Sequence, residues 1–143
     1  MTTPKPRYEQ FEHTSEAGII ARGVTLAEAF ANTAEGMYSL MLELDGIEER
    51  VERKVALEGA SHEALLVDWL LELVFLTETE GLVFRRFVVD ELTDSRLRAQ
   101  VWGERFDPER HRSHNVMVKA VTYHLLQIEH EDGGYRVQVL FDI

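Results

Sequence analysis

The sequence has 143 residues, 45% hydrophobic and 29% charged, and its 26 acidic and 15 basic residues give a formal net charge of −11. This composition is typical of a soluble globular protein and excludes disordered and fibrous classes, while the negative charge argues against direct binding to nucleic acid or to an anionic membrane. The absence of cysteine excludes disulfides, thiolate zinc sites and cysteine nucleophiles.

The length predicts a single domain over residues 1–143, with residues 1–7 as a flexible N-terminal extension. No run approaches the roughly 20 apolar residues that span a bilayer, and no apolar signal core follows the N-terminus. We therefore expect a cytoplasmic protein.

Alternating residues predict two short strands over residues 8–13 and 17–23, joined by a turn that contains Glu16. Thr25 and Glu28 then form a capping box, and apolar residues at three- and four-residue spacing predict a helix that ends near Leu44.

An imperfect alternation predicts a strand over residues 51–58, and a second helix begins near Ser61. Its wide apolar arc indicates deep burial against a sheet; the arc comprises Leu65, Leu66, Trp69, Leu70, Leu73, Val74 and Leu76.

Four more strands are predicted over residues 83–90, 95–104, 116–129 and 135–143, the last two joined by a glycine hairpin turn. The order β-β-α-β-α-β-β-β-β predicts an α+β, two-layer domain with a mixed, mostly antiparallel sheet and two helices. The polar segment over residues 105–115 is the best candidate for a functional loop.

The final strand places Asp142 on its more polar face, beside the main-chain carboxylate of Ile143. Two such groups are a ready pair of hard oxygen ligands, although an aspartate in this position is more often only a solvated charge. If the final strand neighbours one of the first two, this corner and the turn at Glu16 converge.

No sequence motif for catalysis is present, including the nucleophile elbow, the phosphate loop and the zinc-protease motif. His111 and His114 are the only close histidine pair, but in an irregular segment their spacing does not fix a common face, so a zinc site is not predicted. The chain is therefore predicted not to be an enzyme. The basic cluster around Arg110 and His111 either meets a phosphate or an acidic partner, or is simply solvated.

Several blocks, in order along the chain, resemble the archease family. They are FEHTSEAG (11–18), LLVDWLLEL (65–73), EGLVF (80–84), GERFDP (103–108), RH (110–111), VKAVTYH (118–124) and FDI (141–143).

The resemblance implies a non-enzymatic protein cofactor. Archeases assist RtcB-type RNA ligases, GTP- and manganese-dependent enzymes of tRNA splicing and RNA repair, by promoting guanylylation of the ligase and multiple turnover. The alternative is a chaperone-like binding module for an RNA-modifying enzyme such as a tRNA methyltransferase, with a weakened metal site.

The resemblance also implies a divalent-metal site formed by Glu16, Asp142 and the main-chain carboxylate of Ile143. The implied ion is calcium, with magnesium or manganese as alternatives, which agrees with oxygen-only ligands. Arg110 and His111 stand where the family commonly has a Lys-His pair, and the resemblance implies that they contact a partner or a phosphate.

The chain departs from the family pattern at several positions. Glu16 replaces the usual aspartate and extends the carboxylate by one methylene, which is expected to weaken the site or change its ion preference. Val116-Met117 replaces a common Thr-Glu, and Leu71 in the second helix replaces a common asparagine.

Overall fold

A computed structural model describes residues 5–13 and 15–143. The strands are β1 (Tyr8–His13), β2 (Glu16–Gly23), β3 (Val51–Glu58), β4 (Leu82–Leu92), β5 (Arg96–Arg105), β6 (Ala120–Glu131) and β7 (Gly134–Asp142), and the helices are α1 (Leu26–Met41) and α2 (His62–Glu80). This order is the predicted one. Most of the predicted N-terminal extension, residues 1–4, lies outside the described residues.

The strands form two sheets, in the orders β1-β2-β7-β6 and β3-β5-β4, and every pairing given for them is antiparallel. The predicted α+β class with two helices is confirmed. The strands divide between two sheets rather than one because β5 pairs with β3 and β4, whereas the β6–β7 hairpin pairs with β2 through β7.

Both helices contact both sheets, α1 through β2 and β4 and α2 through β6 and β3, so the core lies between the sheets. Two buried hydrogen bonds join the helices. The Trp69 indole N–H donates to the Phe30 carbonyl at 3.0 Å, and the Tyr38 hydroxyl donates to the Leu73 carbonyl at 3.0 Å. No helix within the described ranges is long and apolar enough to cross a membrane.

Helix α1 begins at the predicted cap, where the Glu28 N–H donates to the Thr25 hydroxyl at 3.1 Å. It ends at Met41, three residues before the predicted end, because Leu42 is extended and forms a bridge with Ser113. The Glu43 N–H continues this contact by donating to the Arg112 carbonyl at 2.9 Å. The polar segment over residues 105–115, called the polar loop below, is thereby attached to the end of α1.

Strand β6 begins at Ala120 rather than at residue 116, and its pairing with β7 is irregular between Thr122 and Gln127. The preceding Asn115 has a positive φ of 58°, which turns the chain before the strand starts. The predicted hairpin turn between β6 and β7 is confirmed, with Gly133 at a φ of 76°.

Candidate metal centre

Strand β7 lies beside β2, and Glu16 and Asp142 are directly opposite each other in this antiparallel pair. The condition for convergence of the turn and the final strand is therefore met. Directly opposite residues point to the same face of a sheet, with Cβ atoms about 4.5–5.5 Å apart. The two carboxylates thus share one face at one end of the sheet.

The local sequence explains why Glu16 stands at this end. Ser15, with a φ of 60°, lies in the turn immediately before β2 and brings the chain into the strand at Glu16. Two residues along the same face, Gly18 leaves room for the Phe11 ring of β1, because a Cβ at Gly18 would lie 2.3 Å from two ring carbons. The Phe11 ring therefore covers the sheet next to Glu16.

The end of β7 has a fixed backbone and exposed terminal side chains. The Phe141 side chain is fully buried, and the Asp142 carbonyl accepts a hydrogen bond from the Lys119 N–H at 2.8 Å. Asp142 and Ile143 are exposed, with Ile143 at 42%. This arrangement fixes the backbone of the corner and leaves its oxygen atoms accessible.

A cleft of about 660 Å³ adjoins the corner, and its lining includes Glu12, Glu16, Ile143 and His114. The polar loop brings His114 here because the His114 N–H donates to the Met41 carbonyl at 2.8 Å. The His114 ring lies 3.3 Å from a Glu43 carboxylate oxygen. Sequence reasoning did not nominate His114, since nothing in its neighbourhood along the chain points to the end of α1.

The chemistry of the donors fits a hard divalent ion. Across residues 5–13 and 15–143, no group of three or more His, Cys, Asp or Glu side chains is arranged to hold a metal. Glu16 and Asp142 supply two of the three ligands that the resemblance implies; the third, the main-chain carboxylate of Ile143, stays a prediction. A set composed of oxygen suits calcium, magnesium or manganese better than zinc.

Arg110 and His111 lie elsewhere, around the buried carboxylate of Glu104. The Arg110 guanidinium pairs with Glu104 at 2.5 Å, and His111 Nε2 lies 3.0 Å from the other carboxylate oxygen. Because His111 Nδ1 accepts the Asp107 N–H at 2.9 Å, Nε2 carries the proton and donates to Glu104. The two histidines of the polar loop thus have separate surroundings.

Glu104 holds a strongly stabilised negative charge. Its side chain is 5% exposed, and the Glu48 N–H donates to it at 2.6 Å. The hydrogen bonds from Arg110, Glu48 and His111 outweigh desolvation and lower the pKa of Glu104 to about 2. The carboxylate therefore joins three segments: β5, the polar loop and the connection before β3.

This network determines what the polar loop can offer to a ligand. The His111 side chain is fully enclosed, whereas that of Arg110 remains 42% exposed beside its ion pair. Contact of these residues with a phosphate or a partner stays a prediction, and in this conformation Arg110 is the member that a ligand can reach.

Known proteins resemble the chain over nearly its whole length. The sequence model of the Archease protein family (MTH1598/TM1083) matches residues 8–143. Protein archease of Methanosarcina mazei is 36% identical over 147 residues, covering all of both chains. Protein archease of Pyrococcus furiosus is 40% identical and covers 96% of this chain and 99% of its own.

Two solved structures share the fold. The solution structure of Methanobacterium thermoautotrophicum protein 1598 has a TM-score of 0.77 and 33% identity, covering 96% of this chain and 99% of its own. The crystal structure of an archease from Thermotoga maritima, described as a possible chaperone, has a TM-score of 0.58 and covers 100% of this chain and 99% of its own. Its sequence identity is 21%, so it supports the fold alone. The name archease and the description of the Thermotoga maritima protein as a possible chaperone agree with the prediction of a non-enzymatic protein. The chain belongs to the archease family.

Proposed function

We propose that this protein is a cytoplasmic, non-enzymatic activator of an RtcB-type RNA ligase in tRNA splicing and RNA repair. It promotes guanylylation and multiple turnover of the ligase through a divalent ion held by Glu16, Asp142 and the main-chain carboxylate of Ile143. The observation that supports this proposal most is the direct opposition of Glu16 and Asp142 across β2 and β7. Membership of the archease family supports the choice of partner.

The residues of this chain hold and orient the ion. Two carboxylates directly opposite each other repel, and a bound divalent cation removes that repulsion. The buried Phe141 and the hydrogen bond from Lys119 fix the backbone that carries the ligands. When bound, the ion supplies positive charge that can coordinate phosphate oxygens at an otherwise acidic surface.

The direct test measures ligase guanylylation and multiple turnover with and without this protein. We expect acceleration by the wild type and its loss in Asp142→Asn. Asp132→Asn is the matched control, because Asp132 is exposed in the β6–β7 turn at the opposite end of β7. Failure of the wild type to accelerate its cognate ligase would contradict the proposal.

The role of Ile143 is tested separately by adding residues after it. A C-terminal extension replaces the main-chain carboxylate with an uncharged amide and is expected to reduce both ion affinity and ligase activation. The same extension at the N-terminus serves as the control. Full activity of the C-terminally extended protein would remove Ile143 from the set of ligands.

The alternative function, a chaperone-like module for an RNA-modifying enzyme, is favoured by the longer side chain at Glu16. Calorimetric titration with calcium, magnesium and manganese distinguishes the two. We expect measurable binding that disappears in Asp142→Asn, and tighter or more selective binding in Glu16→Asp. Absence of binding to all three ions would favour the alternative.

A further inference from the structure

Helix α2 carries an outward stripe that the core does not use, formed by Asp68, Leu71, Glu72, Phe75 and Glu78. These residues, here called the acidic ridge, share no member with the proposed metal centre. We propose that the acidic ridge is a docking surface for a helix of a partner protein, one whose apolar side chains are bordered by lysine or arginine.

The apolar part of the acidic ridge is exposed although the inward face of α2 is completely packed. Leu71 is 37% and Phe75 56% exposed, while Trp69, Leu70 and Leu73 are fully buried. Residues four positions apart on a helix are neighbours, so Leu71 and Phe75 form one continuous apolar surface. That surface interrupts an otherwise charged face and is available for a contact outside the chain.

The charge of the acidic ridge is uncompensated. Helix α2 contains five carboxylates and neither lysine nor arginine. Only Glu80 is paired, with Arg53 at 2.6 Å; within residues 5–13 and 15–143, Asp68, Glu72 and Glu78 have no ion-pair partner. A surface that combines apolar side chains with unpaired negative charge is complementary to a partner with apolar and positive groups.

The spacing of the acidic ridge indicates a helical partner. The spacing of three, four and three residues is the one at which contact positions recur where two helices pack side by side. It separates Asp68, Leu71, Phe75 and Glu78. This stretch is ~15 Å long, about three helical turns of a partner. A second copy of this chain is disfavoured, because it would place the same carboxylates against each other and because both copies carry a charge of −11.

Binding of a synthetic peptide tests this proposal. The probe is a labelled helical peptide of about 18 leucine and lysine residues with leucine at three- and four-residue spacing, and the same peptide with glutamate in place of lysine is the negative probe. We expect the lysine peptide to bind the full chain at about 0.15 M salt and the glutamate peptide not to bind. Fluorescence anisotropy measures both.

Matched variants separate a specific surface from general attraction to an acidic protein. We expect Leu71→Ser with Phe75→Ser to weaken binding at least tenfold, and Asp68→Asn, Glu72→Gln and Glu78→Gln together to do the same. Two controls should retain wild-type affinity: Tyr123→Ser with Leu125→Ser, an exposed apolar pair on β6, and an equal change of net charge through Glu28→Gln, Glu58→Gln and Glu129→Gln.

Three outcomes would overturn the proposal. The first is no binding of the lysine peptide, and the second is equal loss in the ridge variants and their controls. The third is a wild-type dimer in sedimentation that Leu71→Ser with Phe75→Ser dissociates, since the ridge would then be occupied by a second copy. None of these outcomes depends on whether the chain activates a ligase.

Discussion

At the scale of single residues, Glu104 is the most constrained carboxylate of the chain. It is buried at the end of β5 and is bound by Arg110, His111 and the Glu48 N–H. Since His114 follows three residues after His111, Glu104 also helps to hold the loop that borders the cleft.

The first prediction concerns Glu104→Gln. The pKa of Glu104 is about 2 in the folded chain against an ordinary 4.5, so ionised Glu104 stabilises the fold above pH 4.5 and loses this contribution as the pH falls towards 2. We expect the variant to lose about 3 kcal/mol of unfolding free energy at pH 7. Denaturant unfolding of both proteins from pH 7 to pH 3 measures this difference in unfolding free energy.

The difference between the two proteins should shrink as the pH falls below 4.5, because the wild-type carboxyl is then protonated in the unfolded chain and must lose that proton on folding. Glu109→Gln, an exposed residue of the same loop, controls for the change of net charge. A difference that stays constant from pH 7 to pH 3 would show that charge is not its cause.

The sequence predicted some site residues and missed others for a physical reason. Strand alternation placed Asp142, and the convergence with Glu16 was predicted only on the condition that the final strand neighbours one of the first two. Glu16 was predicted in the turn and is the first residue of β2. Glu104 and His114 were not nominated. Arg110 and His111 are close to Glu104 in sequence, but its third partner, the Glu48 N–H, is 56 positions away, and the Leu40 carbonyl beside the His114 ring is 74 positions away. Only the fold brings these partners together.

At the scale of elements, the pairing of β2 with β7 places two carboxylates directly opposite each other. Like charges directly opposite each other destabilise a sheet. The proposed divalent ion would remove this repulsion when it binds.

The second prediction follows for Asp142→Asn. With a chelator present, we expect the variant to be slightly more stable than the wild type, because one of the two opposed charges is removed. With excess calcium the order should reverse, since only the wild type is stabilised by binding. Thermal unfolding in the two buffers measures both effects, with Asp132→Asn as control. A variant less stable than wild type in chelator would contradict the repulsion.

Element order was predictable, whereas element ends and sheet partition were not. The predicted order of strands and helices is the observed one because periodicity and capping residues such as Thr25 act locally. Helix α1 ends early because Leu42 pairs with Ser113, a contact between distant parts of the chain. The division into two sheets likewise depends on pairing between strands that are distant in sequence, β5 with β3 and β7 with β2.

At the scale of the whole molecule, the net charge of −11 is the dominant property. Of the fifteen lysine and arginine residues, at least eight form ion pairs with carboxylates of the same chain, as Arg22 does with Glu9 and Glu131. The excess of carboxylates repels a polyanion, so a function that involves RNA would require another protein to hold the RNA.

The third prediction is therefore that the protein does not bind RNA directly. We expect no change in the anisotropy of a labelled single-stranded RNA at about 0.15 M salt, because the field of the protein repels phosphates. The same RNA with the cognate ligase provides the positive control. Saturable, salt-sensitive binding to the isolated protein would contradict this expectation.

The central position of β7 also has a consequence for folding. The most C-terminal strand stands between β2 and β6, so the first hairpin cannot join its sheet until nearly the whole chain is available. Contacts between such distant segments make folding slow, because the loop that they close is long. The carboxylate corner at Glu16 and Asp142 is thus assembled only at the completion of that sheet. A cation bound there, as proposed, would bind the completed fold and not partly folded molecules.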